Sequence, residues 1–289
     1  MTPRPIEELI EDLDDYTGFT KYALVDDAVA RREEVTPHLL ATLERMLADP
    51  EAWLNEEHDI HSYALVLLTH FGEPRAHRLV VELFSLPGEL PFELFGDFIG
   101  ETLPAVLVKT SDGSLDGIRE LILNRLASDY CRWSACTALS YAVVADLISR
   151  DEAIAFLCFL LTGEEAEPPS NFWMGVVDTL MALHPAEVLD EIERAFDAGL
   201  FDETFADMEY IRNKASRDQD EVLVKLRAEY ERYTPTDIHD YMRWWDEPGK
   251  REETSDRLNL KAEKKRELTQ KEKRRKKSRQ AKKSRRRNR

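Results

Sequence analysis

What this chain has little of narrows its chemistry first. Its three cysteines, Cys131, Cys136 and Cys158, are too few and odd in number for a disulfide framework. Cys131 and Cys136 lie five apart, and no second Cys/His pair completes a zinc site. They read as small buried hydrophobes in a reducing compartment. No run of about 18 uncharged apolar residues exists to make a membrane-spanning helix. The first residues, Met1 to Glu8, turn acidic at once and carry no apolar signal-peptide stretch, so the expected location is the cytoplasm. There is no glycine-rich phosphate loop, no Gly-x-Ser-x-Gly and no His-Glu-x-x-His. No cofactor is expected. Strand-like alternation is nearly absent.

What is there divides by charge. Residues 261–289 hold 17 Lys/Arg and 3 Glu, a net of +14, whereas residues 1–260 hold 23 Lys/Arg and 54 Asp/Glu, a net of −31. The overall −17 hides both. Such a split marks an interaction tail joined to a folded body. Asp246-Glu247-Pro248-Gly249 is a turn signal, and residues 250–260 balance three basic against three acidic side chains. The expected organisation is an acidic helical domain over 1–247, a linker over 248–260 and a basic low-complexity tail over 261–289.

Within the body, apolar residues recur at helical spacing. The pattern predicts helices from Ile6 to Leu13 and near 21–33, 37–48, 60–71, 74–86 and 91–108. Others are predicted at 114–127, 131–147, 151–162, 171–183, 186–198, 203–215, 219–232 and 236–245. Turns at Gly72-Glu73-Pro74, Ser111-Asp112-Gly113, Ser149-Arg150-Asp151 and His184-Pro185-Ala186 fall roughly 35 to 40 residues apart, the period of two-helix repeats. Two stretches show the likeness. Tyr63 to Leu68 leads through a turn to Leu79–Phe84, as Ala135 to Leu139 leads to Ile154–Leu161. One hairpin cannot cover its own apolar face, so neighbours must stack. The expected fold is all-α: an α-α superhelix, a HEAT-like solenoid of helical hairpins. Arg132, Ala135 and Leu139 have the spacing that opens a HEAT first helix.

Whole segments also resemble one family. Gly96-Asp97-Phe98-Ile99-Gly100-Glu101 is followed by Tyr130-Cys131-Arg132-Trp133-Ser134-Ala135 and Phe172-Trp173. Ala195-Phe196-Asp197-Ala198-Gly199-Leu200 comes next, then Asp237-Ile238-His239-Asp240-Tyr241-Met242 with Trp244-Trp245. This order resembles the bacterial domain-of-unknown-function family 1186 over roughly residues 5–247. The resemblance implies a helical, HEAT-like body and imports no catalytic residue. Some members end in a cysteine-rich SEC-C zinc motif. With no cysteine after Cys158, this chain lacks that module and carries the basic tail in its place.

Four constellations invite a chemical reading. His58-Asp59 with His61, and His239-Asp240, have the look of metal-binding pairs in helical phosphohydrolases, but such a site needs further ligands on several helices. His70, His77 and His184 stand at no ligand spacing, so surface or capping roles fit them better. Carboxylate pairs such as Glu7/Glu8 with Glu11/Asp12 or Asp14/Asp15 read as a solvated helix face. Gly96-Asp97 reads as a helix break with an aspartate cap. Trp173, Trp244, Trp245 and Tyr241 read as core packing, with Trp245 at the rim. A DNA-repair glycosylase of HEAT type would hold DNA against a basic concave face, which a body at −31 does not offer.

The tail carries the sharpest signal. Lys271, Lys273, Arg274, Arg275, Lys276, Lys277, Arg279, Lys282, Lys283, Arg285, Arg286 and Arg287 lie in one polar stretch with no aromatic residue. It cannot form a core, but it can neutralise phosphates of RNA, a ribosome or DNA without reading sequence. The acidic body suits a protein partner with basic character, and the tail itself is such a partner. The leading expectation is a non-enzymatic interaction protein. The alternatives are a metal-dependent hydrolase using His/Asp residues of the body, and an acidic chaperone-like binder of basic proteins autoinhibited by its tail.

Overall fold

Helix stops written into the sequence set the architecture. A residue with positive φ follows the first helix of each hairpin: Gly72, then Asp112 with Gly113, then Asp146, then His184. Gly72 closes its helix as a Schellman turn, with the amide of Glu73 donating to the Leu68 carbonyl. Leu147 donates to Ala142 in the same way beyond Asp146. These stops recur about 34 to 40 residues apart, the interval expected of a two-helix repeat.

The computed structural model describes residues 4–15, 20–54, 58–201, 207–234 and 236–242. The described residues form sixteen α-helices, two short 3-10 turns and no strand. They are α1 (Ile6–Asp14), α2 (Tyr22–Ala30), α3 (Arg32–Ala48), α4 (Ile60–Phe71), α5 (Arg75–Phe84), α6 (Leu90–Phe95), α7 (Phe98–Glu101) and α8 (Leu103–Thr110). There follow α9 (Asp116–Leu123), α10 (Asp129–Val144), α11 (Arg150–Leu160), α12 (Asn171–Ala182), α13 (Leu189–Asp197), α14 (Met208–Ala215), α15 (Gln219–Tyr233) and α16 (Ile238–Met242). The fold is therefore an all-α helical repeat. Every contact below lies in the unit made by the described residues up to Tyr241 other than Thr20. Thr20 and Met242 fall in a second unit together with residues outside the described set.

The first helices of successive hairpins pack into one row: α4 on α8, α8 on α10, α10 on α12. The second helices lie outside it, α5 beside α9, with Arg119 of α9 over the Phe156 ring of α11 at 5.7 Å. Burial follows the row. Seven of the eight residues of α8 are buried, as are eleven of sixteen in α10 and eight of twelve in α12. Close approach there depends on Gly175, where a methyl group would stand 2.5 Å from the Trp133 indole.

Two arginines stitch one repeat to the next. Arg132 of α10, 1% exposed, donates to the Ile122 carbonyl at 2.8 Å and the Glu165 carbonyl at 3.1 Å. Its guanidinium lies 3.6 Å from the Phe172 ring centroid. Arg150, opening α11, donates to the carbonyls of Leu183 and His184 in the next turn and pairs with Glu187.

Three expected boundaries differ. The helix expected to begin at Pro37 starts at Arg32, because Glu33 and Glu34 favour its first turn and Arg31 accepts from Glu34 and Val35; Pro37 sits inside it. The single helix expected over 91–108 is three pieces. Gly96 adopts φ 56°, ψ −129°, a region that L side chains avoid, and Thr102 interrupts the chain again before Pro104. The third turn falls at Asp146 rather than 149–151. Ser149 already caps α11 in a reciprocal box with Glu152.

Candidate functional site

The histidine–aspartate pairs exist, but not with their sequence neighbours. His58 Nδ1 is 2.7 Å from Asp14 Oδ2 in α1, and the other Asp14 oxygen accepts from the Ile60 amide at 3.2 Å. His239 Nε2 is 2.7 Å from Asp26 of α2, an ion-pair distance without hydrogen-bond alignment, and its ring meets Tyr22 edge-on at 4.9 Å. Each pair ties an N-terminal helix to a distant segment. Among the described residues no group of three or more His, Cys, Asp or Glu could hold a metal ion.

Of the other histidines, His77 and His184 bond to neighbouring segments and His70 lines a cavity. His77 Nδ1 meets the Thr110 hydroxyl at 3.1 Å, and a Cβ on Gly117 would fall 2.5 Å from its other nitrogen. His184, at φ 67°, meets the Arg217 carbonyl through Nε2 at 2.9 Å. Burial lowers the pKa of both His77 and His70. Asp59 behaves oppositely: burial pushes it up to about 6, against the pull of Lys21 at 3.9 Å.

The cysteines are free and inert. Burial pushes the thiols of Cys131 and Cys136 up to about 12 and that of Cys158 to about 11. Glu7, Glu8, Glu11 and Asp12 are exposed, as a solvated face should be. Gly96-Asp97 is the expected helix break, but the Asp97 side chain makes no cap bond to α7. Trp173 is fully buried, and Tyr241 is buried with its hydroxyl 2.6 Å from that of Thr102. Trp244, Trp245 and all twelve basic tail positions from Lys271 to Arg287 lie outside the described residues.

Among the described residues two concavities of contrasting lining stand beside a third, of about 580 Å³, between α3 and α5. A groove of about 650 Å³ runs along the loop between α11 and α12 and presents Asp129, Glu164, Glu165 and Glu167 with Arg125 and Arg132. Arg125 pairs with Glu165 at 3.3 Å, and the Ser170 hydroxyl donates to Asp129 at 2.6 Å. On the helices beside this loop, Phe159 is 67% exposed, and Leu126, between α9 and α10, is 78% exposed.

The second cavity, about 330 Å³, lies where the chain returns on itself. From α14 the chain turns into α15, which packs on α10: the Tyr141 hydroxyl donates to Glu229 at 2.9 Å and the Tyr141 and Tyr230 rings are 5.5 Å apart. Tyr233, Thr234, Thr236, Ile238 and Tyr241 then line the space together with residues of α4 and α8. Nothing in the sequence announced this return, since Leu226 is the only buried residue of α15.

Comparison with known proteins agrees with the residue pattern. Two curated relatives, both described as uncharacterized proteins, come from Chlamydia muridarum and Chlamydia trachomatis serovar D. Each is 31% identical over 205 residues, 71% of this chain and 82% or 81% of the relative. No solved structure matches. No described helix is long and apolar enough to cross a membrane. The profile of the family of proteins of unknown function DUF1186 matches residues 4–248, and the chain belongs to that family.

Proposed function

We propose that this chain is a non-enzymatic interaction protein, whose acidic helical body docks a protein partner with basic character while residues 261–289 contact RNA, a ribosome or DNA. The observation that carries this reading is the charge split, +14 in the last 29 residues against −31 before them. The carboxylate-lined groove, with exposed Leu126 next in the chain to its Arg125, supports the first half. Lys and Arg of the tail release counterions from phosphates, so binding is sequence-tolerant and strongly salt-dependent. Ten contacts give a log–log slope of about −9 on duplex DNA.

The test compares the full chain, a full-length variant with the twelve tail Lys/Arg changed to Gln, and a chain ending at 249. Each is titrated with RNA and with duplex DNA across a salt series. Binding by the full chain alone, weakening with salt, supports the reading. Equal binding by all three, or none at low salt, removes the tail's role. A gain in affinity for basic peptides when the tail is removed would instead identify an acidic binder held shut by its own tail.

A further inference from the structure

The cavity under the returning segment is lined unlike the rest of the body. Its walls come from Val66 and His70 of α4, Thr102 beside α8, Lys109 of α8, and Tyr233 and Tyr241 of the return. Thr69, Thr234, Thr236 and Ile238 complete it. Among the described residues no Asp or Glu is on that lining, whereas the groove at the α11–α12 loop presents four. Its volume sits at the small end of ligand pockets, about 300–1,000 Å³.

Its chemistry is consistent across the wall. Lys109 supplies an ammonium. Burial first, then Lys109, lowers the pKa of half-buried His70, which favours its neutral imidazole. Asp237 and Arg32 act on His70 from outside the lining, with opposite signs. Thr69 and Thr234 donate their hydroxyls to the carbonyls of Leu65 and Tyr230 within their own helices, so neither hydroxyl proton is committed to the ligand. Val66 and Ile238 give it an apolar side.

We infer that this cavity is a binding site for a small organic anion, one acidic group set against Lys109 and a short apolar body against Val66 and Ile238. The ligand bridges α4 and α8 to the Tyr233–Tyr241 segment, so its binding fastens the return onto the repeat stack.

Calorimetric titration of the full chain with benzoate, phenyl phosphate and uncharged benzamide tests this. At least one anion is expected to bind tenfold or more tighter than benzamide. That preference should disappear in Lys109→Met and survive in Lys109→Arg. Lys109 is exposed on its helix, so both variants should melt like the parent. The bound anion should also slow amide exchange in residues 236–241. The inference is overturned if benzamide binds as tightly as both anions, if Lys109→Met binds them unchanged, or if no probe binds at millimolar concentration.

Discussion

The row α8–α10–α12 and the return α15–α16 are made from the same kind of helix but differ in how densely they are buried. In the row, first helices bury most of their residues, and α12 approaches α10 closely at Gly175. Side-chain burial there is worth about 1.5–3 kcal/mol for each large aliphatic or aromatic residue. The fifteen residues of α15 bury only Leu226, α16 adds Ile238 and Tyr241, and the return also carries the polar links Tyr141–Glu229, Thr102–Tyr241 and His239–Asp26. Such polar links contribute about 1 kcal/mol each or less. A repeat protein can thus keep a cooperative stack and still carry a segment that opens at low cost.

The contrast breaks most visibly at Arg132. Replacing it with Ala strips hydrogen bonds from the Ile122 and Glu165 carbonyls and leaves Phe172 without its stacked cation. The expected loss is about 3–5 kcal/mol, read as a lower urea midpoint. A loss under 1 kcal/mol would mean that the stitch is not part of the stack's stability. Gly175→Ala comes next. Its methyl group would meet the Trp133 ring at 2.5 Å, an overpacking expected to cost about 1–3 kcal/mol in the same assay.

Asp59 sharpens the comparison through pH. Its folded pKa, about 6, is above the ordinary 3.8, so the folded chain binds more protons between these values and stability falls as pH rises through that window. Asp59→Asn removes this burden. The expected gain is about 3 kcal/mol above pH 7, shrinking as pH falls and gone below about pH 3, in melts taken across that range. A gain that did not depend on pH would show that the ionised carboxylate is not what costs stability.

Much of the stack is legible in residue order, and the return is not. The helix at 60–71 is readable to the residue because its apolar periodicity ends at a glycine that can take positive φ. The stops at Gly72, Asp112 and His184 are local events, so local residues announce them, whereas the stop at Asp146 falls ahead of the turn expected at 149–151. The pairing of His58 with Asp14 is different. Asp59 is adjacent in sequence, yet its carboxylate faces Lys21 while Asp14, 44 residues away, takes the imidazole. Only tertiary packing decides between them. The cavity at Lys109 is hidden for the same reason, since three segments far apart in the chain supply its lining. Neither wall carries a motif, and the absence of carboxylates there shows only once the walls are assembled.

The smallest expected effect is the one that separates the two regions most cleanly. Tyr141→Phe keeps the ring against Tyr230 and removes only the hydroxyl that donates to Glu229. A loss of about 1 kcal/mol is expected from an ordinary hydrogen bond whose acceptor can turn to water. If the return opens by itself, that loss appears as faster amide exchange in α15 and α16, with α8, α10 and α12 unchanged and the urea midpoint barely moved. If exchange instead rises equally in all five helices, the return and the row unfold as one unit. The ligand site beneath the return could then be emptied only by unfolding the stack.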